Sequence, residues 1–179
     1  AGLAPTHEIS AIDEFGETRT VHIAGESPLT LYVDDREIVT LMTLGTHPEA
    51  LALGYLRTQR FIDDLAQIKS VQVDWRTESG KVVTWNGVDG WGEKLKKRTV
   101  TKGCGQGTVF SCTLDKLYAI NLPKVTIRQS MIYQLLDNIR DHNEIYKRAG
   151  AVHGCGLCHD TDIRLFVEDV GRHNAADAI

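Results

Sequence analysis

The sequence predicts an α/β (α+β) fold, a mixed sheet with helices and a strand-rich N-terminal portion, on three observations. Apolar and polar residues alternate over 18–24, 29–33 and 37–44, the period of a half-buried strand. Apolar residues recur at helical spacing over two later stretches, 46–56 and 126–140. Near the C-terminus an apolar run, 163–167, passes through Gly171 into short residues, which reads as strand, turn, helix.

The 179 residues suffice for one good core, or for one domain with a smaller one beside it. The reading divides them into 1–98, strand-rich with one helix, and 99–179, an α/β region. A hydrophobic share of 42% with 25% charged residues is that of an ordinary globular chain. The net charge of −4 argues against a non-specific nucleic-acid binder, so no nucleic acid is expected as a partner. No stretch approaches a membrane span, and residues 1–10 lack a basic segment followed by an apolar one. A cytoplasmic protein is therefore expected. Its four cysteines, Cys104, Cys112, Cys155 and Cys158, then read as thiols, metal ligands or catalytic groups rather than disulfides.

Taken in order, residues 18–24 and 29–33 are strands, Asp34-Asp35 is a turn, and 37–44 returns as a hairpin partner. Thr46 is expected to cap a helix with Pro48 near its first position and Glu49 in its first turn. Leu51, Tyr55 and Leu56, with Ala52 beside them, share one face of it, which is core spacing. Residues 68–75 and 81–85 form a second hairpin around Glu78-Ser79-Gly80. From 86 to 102 glycines precede Lys94, Lys96, Lys97, Arg98 and Lys102. This run is either a solvated linker or an anion-binding loop leading to Cys104. Thr126 is expected to start the clearest helix, with Met131, Leu135, Leu136 and Ile139 on one face. A further turn covers 144–148 and Gly150 ends it. Residues 151–158 and 163–167 are strands joined through 159–162.

Three groups of residues could carry chemistry. In Gly103-Cys104-Gly105-Gln106-Gly107 the small neighbours leave a thiol accessible, and Lys97, Arg98 and Lys102 favour the thiolate that attacks sulfur. A small residue in a tight turn is the bland alternative. The glycines do not make a dinucleotide fingerprint, because the sixth place is Thr108 and no clear helix follows. His153, Cys155, Cys158 and His159 resemble metal ligands in type. On a strand, however, Cys155 and Cys158 point to opposite faces and cannot chelate together, so no tightly held metal is expected. A buried strand with His153 at its functional end is preferred. Finally, Glu168 and Asp169 end the last strand, and Arg172, His173 and Asn174 open the segment that follows. Such a strand end is a place to hold an anionic or nucleotide-like ligand. Alternatively, Asp169 or Asn174 caps the helix and Arg172 pairs with a nearby carboxylate.

The run Glu168-Asp169-Val170-Gly171-Arg172-His173-Asn174-Ala175 resembles the signature of the formate dehydrogenase accessory family, FdhD/NarQ. Leu41-Met42-Thr43, His47 to Leu56, the Cys104-Gly105 loop, and Ala149 to His153 are similar to further family motifs in the same order. The resemblance implies a cytidine-deaminase-like fold. It also implies a sulfur carrier and sulfurtransferase that passes persulfide sulfur from a cysteine desulfurase to a molybdenum or tungsten bis-molybdopterin guanine dinucleotide. That cofactor is cargo destined for the formate dehydrogenase apoenzyme.

On this resemblance Cys104 is the carrier, and Glu168, Asp169, Arg172, His173, Asn174 and His153 line the cofactor-binding surface. Arg172 is expected opposite phosphate, His173 or His153 as proton handler, and Glu168 or Asp169 as acceptor for an amino-bearing ring. The zinc deaminase signature is absent, so the fold would not imply deamination. Family members carry Cys-x-x-Cys in the loop, whereas this chain has Gly107 in the second place. That keeps alive a non-catalytic chaperone that binds the cofactor or the apoenzyme. The family pattern also continues Asp-Lys where this chain has Asp177-Ala178 and ends at Ile179, so the intact protein is expected to be longer. A homodimer is compatible with this reading.

Overall fold

The computed structural model describes residues 2–87, Trp91 and 120–179, with the backbone alone of 98–100 and 108–110. Two antiparallel strands open the chain, β1 (Thr6–Ile12) and β2 (Thr18–Ala24), in register from Thr6 opposite Ala24 to Ile12 opposite Thr18. The sequence pattern missed β1, whose apolar residues are only Ile9, Ala11 and Ile12. Its hydrogen-bonding partner, rather than its own periodicity, makes it a strand.

A four-stranded sheet follows: β3 (Ser27–Val33), β4 (Arg36–Thr43), β5 (Ile68–Asp74) and β6 (Ser79–Thr84), in the order β4-β3-β6-β5. The two hairpins expected from sequence are its outer pairs, and β3 joins β6 in parallel between them. The turn at Asp34-Asp35 has positive φ at both residues, 45° and 63°, the twist that suits a two-residue hairpin. Asp34 also accepts from the Thr84 backbone N–H and hydroxyl at 2.9 and 2.6 Å, tying that turn to the end of β6.

On β3, Leu29, Leu31 and Val33 alternate inward and are fully buried. On β4, Ile38 and Leu41 both point inward although three residues apart, because an irregularity near the Leu31–Val39 pairing shifts the register. These residues meet Leu51, Ala52, Tyr55 and Leu56 of helix α1 (Pro48–Thr58), with Phe61, Ile62, Val82 and Trp91 completing the core. The helical face predicted from spacing is thus the buried one. Its cap differs: His47, not Thr46, is the N-cap, and no side chain caps it. Pro48 at the first position lacks an N–H to satisfy and presets φ, so the helix begins without one.

Strands β7 (Arg98–Val100) and β8 (Thr108–Phe110) pair antiparallel. Beyond them lie α2 (Gln129–His142), α3 (Glu144–Ala149), β9 (His153–His159), β10 (Asp162–Asp169) and α4 (Arg172–Asp177). Helix α2 begins at Gln129 rather than Thr126, since Arg128 is still extended and 120–128 is exposed throughout. Met131, Leu135 and Ile139 are its half-buried stripe, while Leu136, expected with them, is 52% exposed. Gly150 closes α3 at φ 65°, as its position predicted.

The apolar run 163–167 has the composition of a buried strand. It is a strand, but of its residues only Val167 is buried, and Leu165 lies opposite Leu157 with both about half exposed. The buried end of β10 is the carboxylate end. Among the described residues no helix is long and apolar enough to cross a membrane.

Candidate functional site

Strand β10 carries its last two side chains to opposite faces. Glu168 turns toward α3, where its two oxygens accept from the backbone N–H groups of Ile145 and Tyr146, each at 2.9 Å. These are orphan donors of the first turn of α3, whose N-cap residue Asn143 supplies no side-chain bond. A carboxylate from another element thus caps this helix.

Asp169 turns the other way and gathers four donors. Its Oδ2 accepts from the Thr43 hydroxyl at 2.5 Å and the Leu44 N–H at 3.1 Å. Its Oδ1 accepts from the Gly171 N–H and the Asn174 side-chain amide, both at 3.0 Å. The same Asn174 amide donates its second hydrogen to the Met42 carbonyl at 2.7 Å. The end of β4 and the first turn of α4 are therefore clamped together through one carboxylate and one amide. Thr43 was missed as a member of this cluster, because its partner lies 126 residues away.

Glu168, Asp169 and Asn174, expected to line a ligand surface, are thus turned inward, at 6, 4 and 8% exposure. Asn174 and Asp169 do not cap α4 through the N-cap position, which Gly171 occupies without a side-chain bond. The Gly171 N–H that an anion would seek is already given to Asp169.

Arg172, His173 and His153 face outward and are exposed. His153 stands opposite Asp169 in the β9–β10 register, and α4 packs against both strands, so the three share one end of this unit. Among the described residues Arg172 forms no ion pair.

The other side of α4 rests on α1. A Cβ at Gly54 would collide with the Asp177 carbonyl, so glycine there permits the close crossing. Asp177 accepts from the Thr58 hydroxyl at 2.9 Å. Burial pushes its carboxyl up from the ordinary value, against the opposing pull of that hydrogen bond and of His173.

Cys104, Gly107 and Cys112 lie outside the described residues, as does most of the basic run. Strands β7 and β8 flank the segment 101–107 that contains Cys104. Cys155 and Cys158 are free, half-buried thiols on β9, opposite Val167 and Ile163. Burial and the neighbouring Cys158 push the Cys155 thiol up, which disfavours the nucleophilic thiolate. Among the described residues no three His, Cys, Asp or Glu side chains converge as metal ligands.

Residues 24–179 match the FdhD/NarQ family. The chain is 30% identical over 161 residues to a "Sulfur carrier protein FdhD" from Listeria monocytogenes serotype 4b, spanning 88% of this chain and 61% of that protein. A relative of the same name from Bacillus pumilus is 26% identical over 90% of this chain and 62% of its own length. The chain thus spans about three fifths of the length of these relatives. In fold it is similar, at a TM-score of 0.67 and 21% identity, to a crystal structure from Desulfotalea psychrophila designated a candidate formate dehydrogenase accessory protein. That likeness covers 97% of this chain and 64% of the other, and agrees with the mixed α/β class read from the sequence. With its signature residues clamped at the junction of β10, α4 and β4, and with more than four fifths of its length matched, the chain belongs to the FdhD/NarQ family.

Proposed function

We propose that this chain is a sulfur carrier and sulfurtransferase of formate dehydrogenase maturation, working in the cytoplasm with Cys104 as the carrier. The supporting observation is the family match over 24–179, together with relatives named as sulfur carriers. The Cys104 thiolate attacks the outer sulfur of a persulfide on a cysteine desulfurase. An S–S bond forms at Cys104 as the donor's S–S bond breaks, and the donor cysteine leaves as a thiolate. The acceptor is a molybdenum or tungsten bis-molybdopterin guanine dinucleotide, bound as cargo and destined for the formate dehydrogenase apoenzyme. Arg172 faces its phosphates, and His173 or His153 handles a proton at the sulfur. Asp169 and Asn174 act by holding the first turn of α4, and with it Arg172 and His173, in place, while Glu168 caps α3. This reading differs from the one in which Glu168 or Asp169 accepts from an amino-bearing ring.

Gly107 in the second position of the loop favours one competing reading, a chaperone that binds cofactor or apoenzyme and transfers no sulfur. Incubation of the full-length protein with a desulfurase and cysteine separates the two. The carrier reading expects mass increments of about 32 daltons, one sulfur atom each, on the peptide containing Cys104. Cys104→Ala should lose that label and fail to restore formate dehydrogenase in cells lacking their own accessory protein. Cys158→Ala should retain most activity. An active dehydrogenase from the Cys104→Ala strain would replace the carrier with the chaperone.

A further inference from the structure

Resting on the reading of the β10–α4 end as the cofactor-facing surface, we propose that Thr43 is a positioning residue for Arg172 and His173. Thr43 is 1% exposed, so it does not present itself to a ligand, and it acts through Asp169. Its hydroxyl oxygen accepts from the Gly45 N–H at 3.1 Å, which aims its own hydrogen at Asp169 Oδ2. With Leu44 N–H on the same oxygen, the carboxylate is held in one orientation. The opposite oxygen then fixes the Gly171 N–H and the Asn174 amide, the residues on either side of Arg172 and His173. Asn174 returns to β4 at Met42, which closes the loop of bonds. Through this circuit the exit of β4, anchored by the buried core, sets where the first turn of α4 points.

The circuit differs from ordinary packing in that it needs a hydroxyl and not merely a volume. Valine matches threonine in shape but offers neither the acceptor for Gly45 nor the donor for Asp169. Serine keeps both and loses only a methyl group.

The test compares full-length wild type with Thr43→Val and Thr43→Ser, using guanosine diphosphate as the probe. Thr43→Val should weaken binding about tenfold, the factor that one hydrogen bond to a charged group represents. It should also accelerate amide exchange over 170–177 and move the His173 ring signals in NMR spectra. Thr43→Ser should restore all three. Wild-type affinity and unmoved His173 signals in a folded Thr43→Val protein overturn the proposal, as does a Ser variant that rescues neither. If wild type itself binds no guanosine diphosphate, the reading of the surface fails. The His173 signals then decide the role of Thr43 alone. Should Thr43→Val not fold, Thr43→Ala, which leaves room for a water, takes its place against Thr43→Ser on the same readouts.

Discussion

Asp169 is a carboxylate at 4% exposure whose two oxygens are filled by four donors from Thr43, Leu44, Gly171 and Asn174. An amide cannot reproduce that pattern. Asp169→Asn turns an NH₂ group toward either the Leu44 or the Gly171 backbone N–H, so whichever way it flips a buried donor is orphaned. The expected cost is about 3 kcal/mol of unfolding free energy, read from urea denaturation. Asp177 makes the opposite case, a carboxyl raised by burial from its ordinary value of 3.8. Such a group holds its proton more tightly folded than unfolded. Its contribution to stability is therefore full below about pH 3.8 and is lost as pH rises through the higher folded value. Asp177→Asn keeps an acceptor for Thr58 and should remove that part of the slope. The measurement is the difference between the two proteins' stability–pH curves from pH 3 upward. A difference that grows toward low pH in favour of the variant would contradict the assignment.

At the scale of elements, α1 serves two surfaces at once. One face buries Leu51, Tyr55 and Leu56 in the core, each contributing about 1.5–3 kcal/mol by burial. Leu56 is fully buried, so Leu56→Ala should cost about 3 kcal/mol. The other surface carries Gly54 beneath the Asp177 carbonyl. Gly54→Ala improves intrinsic helix propensity by about 1 kcal/mol and would be stabilising on an exposed helix. Here the added methyl meets backbone that must move, so a net loss of about 2 kcal/mol is expected. The loss should be accompanied by weaker protection of α4 amides in hydrogen exchange. Helix position, not helix content, is what the glycine decides.

Across the molecule, protection should follow the distribution of the core. The β3 and β6 strands pair on both edges and carry Leu29, Leu31, Val33 and Val82, so their amides should exchange last. Among the described residues the β1–β2 ribbon pairs with no other strand and exposes Ile9, Ile12, Phe15, Val21 and Ile23, so it should exchange first. Native-state exchange with mass-spectrometric readout checks that order. Slow exchange throughout β1 and β2 would mean that the ribbon unfolds only with the core.

Period and turn chemistry by themselves determined much of the local structure. The alternation over β2 and β3, the Asp34-Asp35 turn, the apolar face of α1, the Gly150 stop and the strand–turn–helix at Gly171 are all visible in the sequence, because each depends on residues within a few positions of one another. The family signature was visible too, as a string of residue types. Only the tertiary structure decided which way those residues face. Glu168 became a cap for α3 and Asp169 a clamp on β4, because their donors come from Ile145 and Tyr146 on one side and from Thr43 and Leu44 on the other. The exposed side of β10 was equally hidden, since burial depends on what packs against a strand and not on its own apolar content. A carboxylate's role is set by the donors that surround it in space, and Asp169's partner on β4, Thr43, lies 126 residues away along the chain.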